Sequence, residues 1–208
     1  MVALMRDLDA AACVLARAFQ EDPFLCWAEP NARRRLPMAR VLFRCSLRQA
    51  ERRGHLYVDP GRGSVHWFKP EAVDLSVIDL VRLRFARVVA MVSPVVIWRL
   101  LTHEGEATKR VHHFLTPGAA YLHTIGIEPA LKGKGIGSEV LQAALGRIGA
   151  DFERCVLRTE QETNVPFYRK NGFDLVDEAV MPTSGLRIWV FEHRNPRAAG
   201  AEAVRATG

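Results

Sequence analysis

Cysteine is scarce in this 208-residue chain. Cys13, Cys26, Cys45 and Cys155 form no C-x-x-C pair and follow no metal-ligand spacing. That excludes a disulfide framework or a zinc module as the basis of the fold. It reads instead as reduced thiols in a cytoplasmic protein with no metal. A membrane span needs ~18 consecutive apolar residues, and no run approaches that. The most apolar stretch, Val73 to Leu101, is interrupted by Arg82, Arg84, Arg87 and Arg99 and divided by Pro94. A signal peptide is not expected either, because Arg6, Asp7 and Asp9 break the N-terminus before an apolar core forms. Internal repeats are absent. Tight basic runs are few: Arg33 to Arg35 and Arg52–Arg53, without interleaved aromatics. The net charge of +6 therefore reads as solvated helix faces and a small anionic partner rather than nucleic acid. What remains is one domain with ample apolar content for a core, 49% of residues.

The informative stretch runs from Ala120 to Gly137. Its first half alternates and favours a strand, which Pro129 ends. Gly133, Gly135 and Gly137 follow, interleaved with Lys132 and Lys134. From Ser138 the period turns helical, with Val140, Leu141, Ala144, Leu145 and Ile148 on one face. A strand, a Gly/Lys turn and a helix aim backbone N–H groups and the positive end of a helix dipole at one spot. Both favour phosphate or pyrophosphate.

Three phosphate loops compete for this pattern. The nucleoside-triphosphate loop G-x-x-x-x-G-K-[ST] is not present. A dinucleotide turn, G-x-G-x-x-G, would have its third glycine where Ser138 stands, and Glu160 lies near the distance of a ribose-binding acid. The third is the [QR]-x-x-G-x-[GA] loop of the GNAT N-acetyltransferases, which residues Lys132 to Gly137 resemble, with lysine in the first position. A second segment, N-V-P-F-Y-R-K-N-G-F from Asn164, resembles the N-x-x-x-Y-x-x-x-G-F element of the same family. One helix and one strand separate the two, in the family's order. The resemblance covers Tyr121 to His193 well and the N-terminal half loosely. His113, Leu115, Pro117, Tyr121 and Leu122, with Leu157, Thr159, Pro166 and Phe167, are similar to the puromycin N-acetyltransferase-like branch.

The resemblance implies an α/β (α+β) GNAT fold. Its centre is a mixed, mostly antiparallel twisted sheet of six to seven strands flanked by helices. Residues 1–193 would form one acetyltransferase domain; the residues themselves read as a helical insertion at 73–113 before the fourth strand, where family members often have a direct hairpin, and as a disordered tail over 194–208. Other elements are read from the residues themselves. Helices are expected over about Asp9 to Phe19 and Ala32 to Arg52, the second stopped by Gly54 as its C′ residue. His55–Asp59 and Ser64–Phe68 form a hairpin around Pro60–Gly63, and the strands after Phe173 are joined by Pro182–Gly185. His66 reads as a structural histidine.

The resemblance also implies acetyl-CoA as cofactor and acetyl transfer to a primary amine of a small molecule, in a ternary complex and without a cysteine nucleophile. Non-catalytic acyl-CoA binding and protein or peptide N-acetylation are the alternatives. Homodimers are common in the family. Coenzyme A would lie on Ile125, Gly126 and Ile127, on Lys132, Gly133, Lys134, Gly135, Ile136, Gly137 and Ser138, and on Asn164 and Tyr168. The F-Q-E-D-P-F-L-C-W segment resembles a family loop that lines the acceptor site. Phe24 and Trp27, with His113 and Tyr121, are therefore expected to bind substrate. A protonated amine needs a base and a leaving thiolate needs an acid. Tyr168 matches the family's acid. His123 is the expected base, placed by alternation on one face with Tyr121, Ile125 and Ile127. Glu160 is the runner-up, with Glu29 and His113 behind it.

Overall fold

The computed structural model describes residues 2–74 and 86–195, without the side chains of residues 2–7 and Arg87. Six strands form one sheet in the order β1-β2-β3-β4-β6-β5. They are β1 (Gly54–Asp59), β2 (Gly63–Phe68), β3 (Ala119–Ile127), β4 (Arg154–Thr159), β5 (Asp174–Val180) and β6 (Arg187–Arg194). Every neighbouring pair is antiparallel except β3 and β4. Parallel neighbours need a crossover, and helix α6 (Ile136–Asp151) supplies it. This is the mixed, mostly antiparallel GNAT architecture. Among the described residues only two strands precede the one that feeds the glycine loop, so that strand is third in chain order and not fourth.

Helices cover both faces. On one face α6 buries the expected stripe of Val140, Leu141, Ala144, Leu145 and Ile148, joined by Tyr168 and Phe173 around helix α7 (Val165–Lys170). On the other lie α1 (Val2–Ala18), α2 (Pro23–Ala28) and α3 (Ala32–Arg53), which meet through Leu8, Ala12, Leu15 and Leu47 and through Ala16, Leu25, Met38 and Ala39. Two further helices, α4 (Ala86–Met91) and α5 (Pro94–His112), follow β2. The N-terminal half of α5 packs on α2 and α3 through Val96 and Leu100. Its C-terminal half packs on the sheet through Ala107 and Val111. The part of the expected insertion at residues 75–85 lies outside the described residues.

Three local readings change. Gly54 does not cap α3 in the left-handed region; its backbone is extended and opens β1. Glycine is needed there because a Cβ would stand 2.5 Å from the Phe68 ring and 2.6 Å from the Trp67 carbonyl oxygen. The expected tail is ordered at its start: β6 runs to Arg194, and Asn195 donates to the Glu153 and Gly149 carbonyls. Residues 196–208 lie outside the described residues. Third, the alternation of β3 breaks at His123. Across the β2–β3 pairing His66 faces Thr124 and Trp67 faces Leu122, so His123 is an extra residue, a bulge. Before the bulge Ala120 and Leu122 face α6, and after it Ile125 and Ile127 do. Tyr121 points to the other face, so it does not share a face with Ile125 and Ile127.

Candidate functional site

The site begins where two strands part. β3 and β4 pair only over Ala119–Tyr121 and Arg154–Val156. Beyond that they separate, and the β4-side edge of β3 has no strand partner. A cavity of about 280 Å³ occupies the gap. Leu122, His123, Thr124 and Ile125 of β3 line it, opposite Arg158, Thr159 and Glu160. Tyr168 and Asn164 enter from one face of the sheet, and Phe19, Phe24, Phe43 and Leu100 from the other. The cavity therefore passes through the sheet at the split.

Past the end of β3 the chain makes a short 3-10 turn, Pro129–Leu131, and reaches the glycine loop. Gly133 and Gly135 have φ of 82° and 80°, conformations that suit glycine. A Cβ at either would meet nothing within 4 Å, so open space lies over the loop. Gly135 precedes α6 as its N-cap, so the first-turn amides of α6 lie at the loop. Lys132 and Lys134 are exposed, while Ser138 accepts a hydrogen bond from the Asn171 amide at 3.2 Å. These features fit a pyrophosphate. The parted strands leave an unpaired backbone edge on which an amide-bearing arm could be held.

Tyr168 is 5% exposed and lines the cavity. Burial, with Cys155 and Glu160 nearby, pushes its phenol above the ordinary range, so it is protonated at neutral pH. Asn164 occupies the N-cap position of α7 without capping it; its amide donates to Thr159 Oγ1 at 3.1 Å.

Both sequence-derived bases stand in the cavity wall, and neither is suited to take a proton at pH 7. Burial lowers the His123 imidazole to about 4, with Glu104 and Glu160 opposing and Arg158 assisting. Its Nδ1 pairs with Thr124 Oγ1 at 2.9 Å and its ring stacks on His66. For Glu160, burial pushes upward, but the Arg158 guanidinium and the His103 hydrogen bond hold the carboxyl below its usual range. Arg158 Nε lies 3.1 Å from it and His103 Nε2 lies 3.5 Å away. Glu29 is buried behind the site, accepting from the Asn31 amide at 3.0 Å.

Of the expected substrate contacts, Phe24 lines the cavity and stacks on the buried His103 ring. Trp27 packs behind it, on His103 and under the Arg99 guanidinium. Tyr121 lies against His123 in the core beneath α5, outside the lining. His113 is exposed at the C-terminus of α5 and is not brought to the site. Of the expected cofactor contacts, Ile125 lines the cavity, while Ile127 packs against the core beneath α6. Gly126 is packed so closely that a Cβ would meet Leu15 Cδ2 at 2.4 Å.

Sequence reasoning did not reach Arg158, Glu104 or the role of Asp22 in the polar wall. Arg158 bridges Glu104 at 2.5 Å and Glu160 at 3.1 Å, and its Nη1 is buried without a hydrogen-bond partner among the described residues. Asp22 caps α2: Oδ1 accepts from the amides of Phe24 at 3.0 Å and Leu25 at 3.2 Å. Burial, then Glu160, raises its carboxyl to about 7. One signal was available for part of this. Arg158 and Glu160 are opposite charges two residues apart in an otherwise apolar strand, which places both on one face.

Comparison with known proteins agrees with this geometry. Residues 95–175 match the model of the Acetyltransferase (GNAT) domain, a stretch that holds α5, β3, the glycine loop, β4 and Tyr168. An uncharacterized protein of Mycobacterium leprae is 36% identical over 62 residues, covering 29% of this chain and 17% of that protein. A structure assigned to the GNAT family from Desulfovibrio desulfuricans aligns with 88% of this chain and 91% of its own, at 12% identity and a TM-score of 0.47. The ribosomal-protein-S18-alanine N-acetyltransferase of Escherichia coli aligns over 39% of this chain and 57% of its own, at 12% identity and a TM-score of 0.34. Scores at that level carry no weight for function. No puromycin-type branch is singled out by the domain match. The chain carries the GNAT acetyltransferase fold.

Proposed function

We propose that this protein transfers an acetyl group from acetyl-CoA to a primary amine of a small molecule, directly in a ternary complex. One observation carries the reading: β3 and β4 part, and the gap is bounded by the glycine loop at one end and by Tyr168 in its wall. Acetyl-CoA would supply the acyl group, already activated as a thioester. The amides of Gly135, Ile136 and Gly137, with Lys132 and Lys134, would hold its phosphates. The free edge of β3 near Ile125 would hold the arm and offer a backbone N–H to the carbonyl oxygen, where charge develops. Tyr168 is kept protonated by burial and would be the proton donor for a departing thiolate. The cavity, walled on one side by Leu100, Leu101 and Glu104 of α5 and about 280 Å³ in volume, suits a small acceptor better than a peptide.

The test is thermal unfolding with acetyl-CoA, NADH and ATP, followed by an amine screen that detects free thiol. At a hundredfold its dissociation constant acetyl-CoA should add about 2.7 kcal/mol of stability. A shift with NADH and none with acetyl-CoA would return the glycine loop to the dinucleotide reading.

A further inference from the structure

Three carboxylates line the cavity: Asp22, Glu104 and Glu160. Two are committed. Glu104 and Glu160 both bind the single guanidinium of Arg158. Among the described residues the Asp22 carboxylate has no ion-pair partner, and its only hydrogen bonds are the two amides on Oδ1. Its second oxygen is uncommitted. Two carboxylates against one guanidinium already leave the wall negative, and an ionised Asp22 makes it more so. This wall attracts a cation and repels a carboxylate.

Around that spot the lining is apolar. Phe19, Phe24, Leu42, Phe43, Leu100 and Leu101 supply it from four different helical segments or their ends. A ligand with a second or third charge would have to bury it against these rings without a partner, which is costly. We propose that the acceptor is a lipophilic primary amine with a single positive charge, docked by its ammonium group on Asp22 and by its apolar body between Phe19, Phe24, Phe43 and Leu100.

Asp22 then has a second task, which rests on the acetyl-transfer reading. One N–H bond of the ammonium group breaks and its proton moves to the uncommitted carboxylate oxygen. The result is a neutral amine with a free electron pair beside a neutral carboxylic acid. The proton leaves to solvent after product release. A carboxyl that titrates near 7 is matched to that exchange at neutral pH. The charged and titratable groups facing Asp22 are Glu160 and Arg158 at the end of β4, Glu104 and His103 on α5, His123 on β3 and Tyr168 on α7.

The test is calorimetric titration of 2-phenylethylamine, spermidine and L-phenylalanine into the wild type and Asp22→Asn. Asparagine caps a helix as well as aspartate does, so the variant removes the charge and keeps α2. Asp22→Ser, another capping residue, serves if the first variant does not fold. The wild type should bind 2-phenylethylamine at least about tenfold more tightly than the other two. Its affinity should rise from pH 6 to pH 8 as Asp22 ionises while the amine stays charged. Asp22→Asn should lose about tenfold of that affinity and its pH dependence. Equal or tighter binding of spermidine or L-phenylalanine overturns the proposal. So does unchanged binding by Asp22→Asn, or no 2-phenylethylamine binding at millimolar concentration. Stabilisation by acetyl-CoA is measured on the same samples. Its absence, with amine selectivity intact, removes acetyl transfer and leaves the amine site standing; its presence without amine selectivity does the reverse.

Discussion

The glycine loop and the cavity wall are two halves of one site built on opposite principles. The loop is exposed, continuous in sequence, and made of backbone: its properties follow from two glycines at positive φ and a helix start. The wall is buried and made of side chains from α2, β3, α5, β4 and α7. Arg158, Glu104 and Glu160 hold one another's charges. A backbone site survives most side-chain changes and fails when its conformation is forbidden. A buried charge cluster fails when any one member is lost, because the partners left behind are uncompensated. Binding and chemistry should therefore separate under mutation.

The largest effect belongs to the wall. Arg158→Leu should cost about 3 kcal/mol, because it strands the buried Glu160, while the partly exposed Glu104 is left to solvent; urea unfolding measures this. Adding Glu104→Gln and Glu160→Gln should recover most of the loss, and a failure to recover would mean that packing rather than charge holds the wall. Tyr168→Phe should lower kcat about a hundredfold, equivalent to about 2.7 kcal/mol. Its effect on stability should stay within about 1 kcal/mol, since the hydroxyl has no hydrogen-bond partner among the described residues. Thiol-release kinetics beside thermal unfolding would show the split. Gly135→Ala tests the loop: it should cost about 1–2 kcal/mol for the left-handed backbone alone, because no atom crowds its Cβ. Acetyl-CoA binding should weaken while the pH profile of turnover stays unchanged.

Titration sharpens the contrast further. His123 is held at about 4 in the folded state against an ordinary 6.5, so the unfolded chain binds the extra proton between those values. Its contribution to stability is full above about 6.5 and is lost as pH falls toward 4. Asp22 has the opposite sign. Its folded value of about 7 exceeds the ordinary 3.8, so its contribution is lost as pH rises through 7. Unfolding curves of wild type and Asp22→Asn should coincide near pH 4 and diverge by pH 8, with the variant the more stable. The smallest effect is expected for Lys134→Gln on the exposed loop. It should weaken acetyl-CoA binding by about 0.5 kcal/mol, and less at high salt.

The same contrast explains what the sequence made legible. Gly133 and Gly135 could be read because few other residues tolerate their backbone, and Tyr168 because it sits at a fixed offset within one segment. The α6 stripe followed from helical period. Asp22 was visible only as one letter of the F-Q-E-D-P-F-L-C-W segment; its uncommitted oxygen and its titration near 7 come from α2 folding over the cavity. The Glu104–Arg158 pair joins residues 54 apart, and no local pattern encodes that distance. His113 was expected from a resemblance of its segment and not from any geometric signal; it stands exposed at the end of α5, outside the cavity lining. The face assigned to Ile125 was wrong because strict alternation has no room for an extra residue at His123.

That extra residue sets the phase of everything after it. A strand is decoded two positions at a time, and His123 acts as a one-letter insertion that shifts the frame. Upstream, Leu122 reads as inner to α6; downstream, Ile125 and Ile127 do, while Gly126 turns toward α1, where Leu15 tolerates no Cβ. Straightening the strand with His123 kept in it would scramble the message: isoleucine would be driven into a slot that accepts only glycine, and glycine would replace isoleucine under α6. The irregularity is the device by which one strand serves two differently shaped layers.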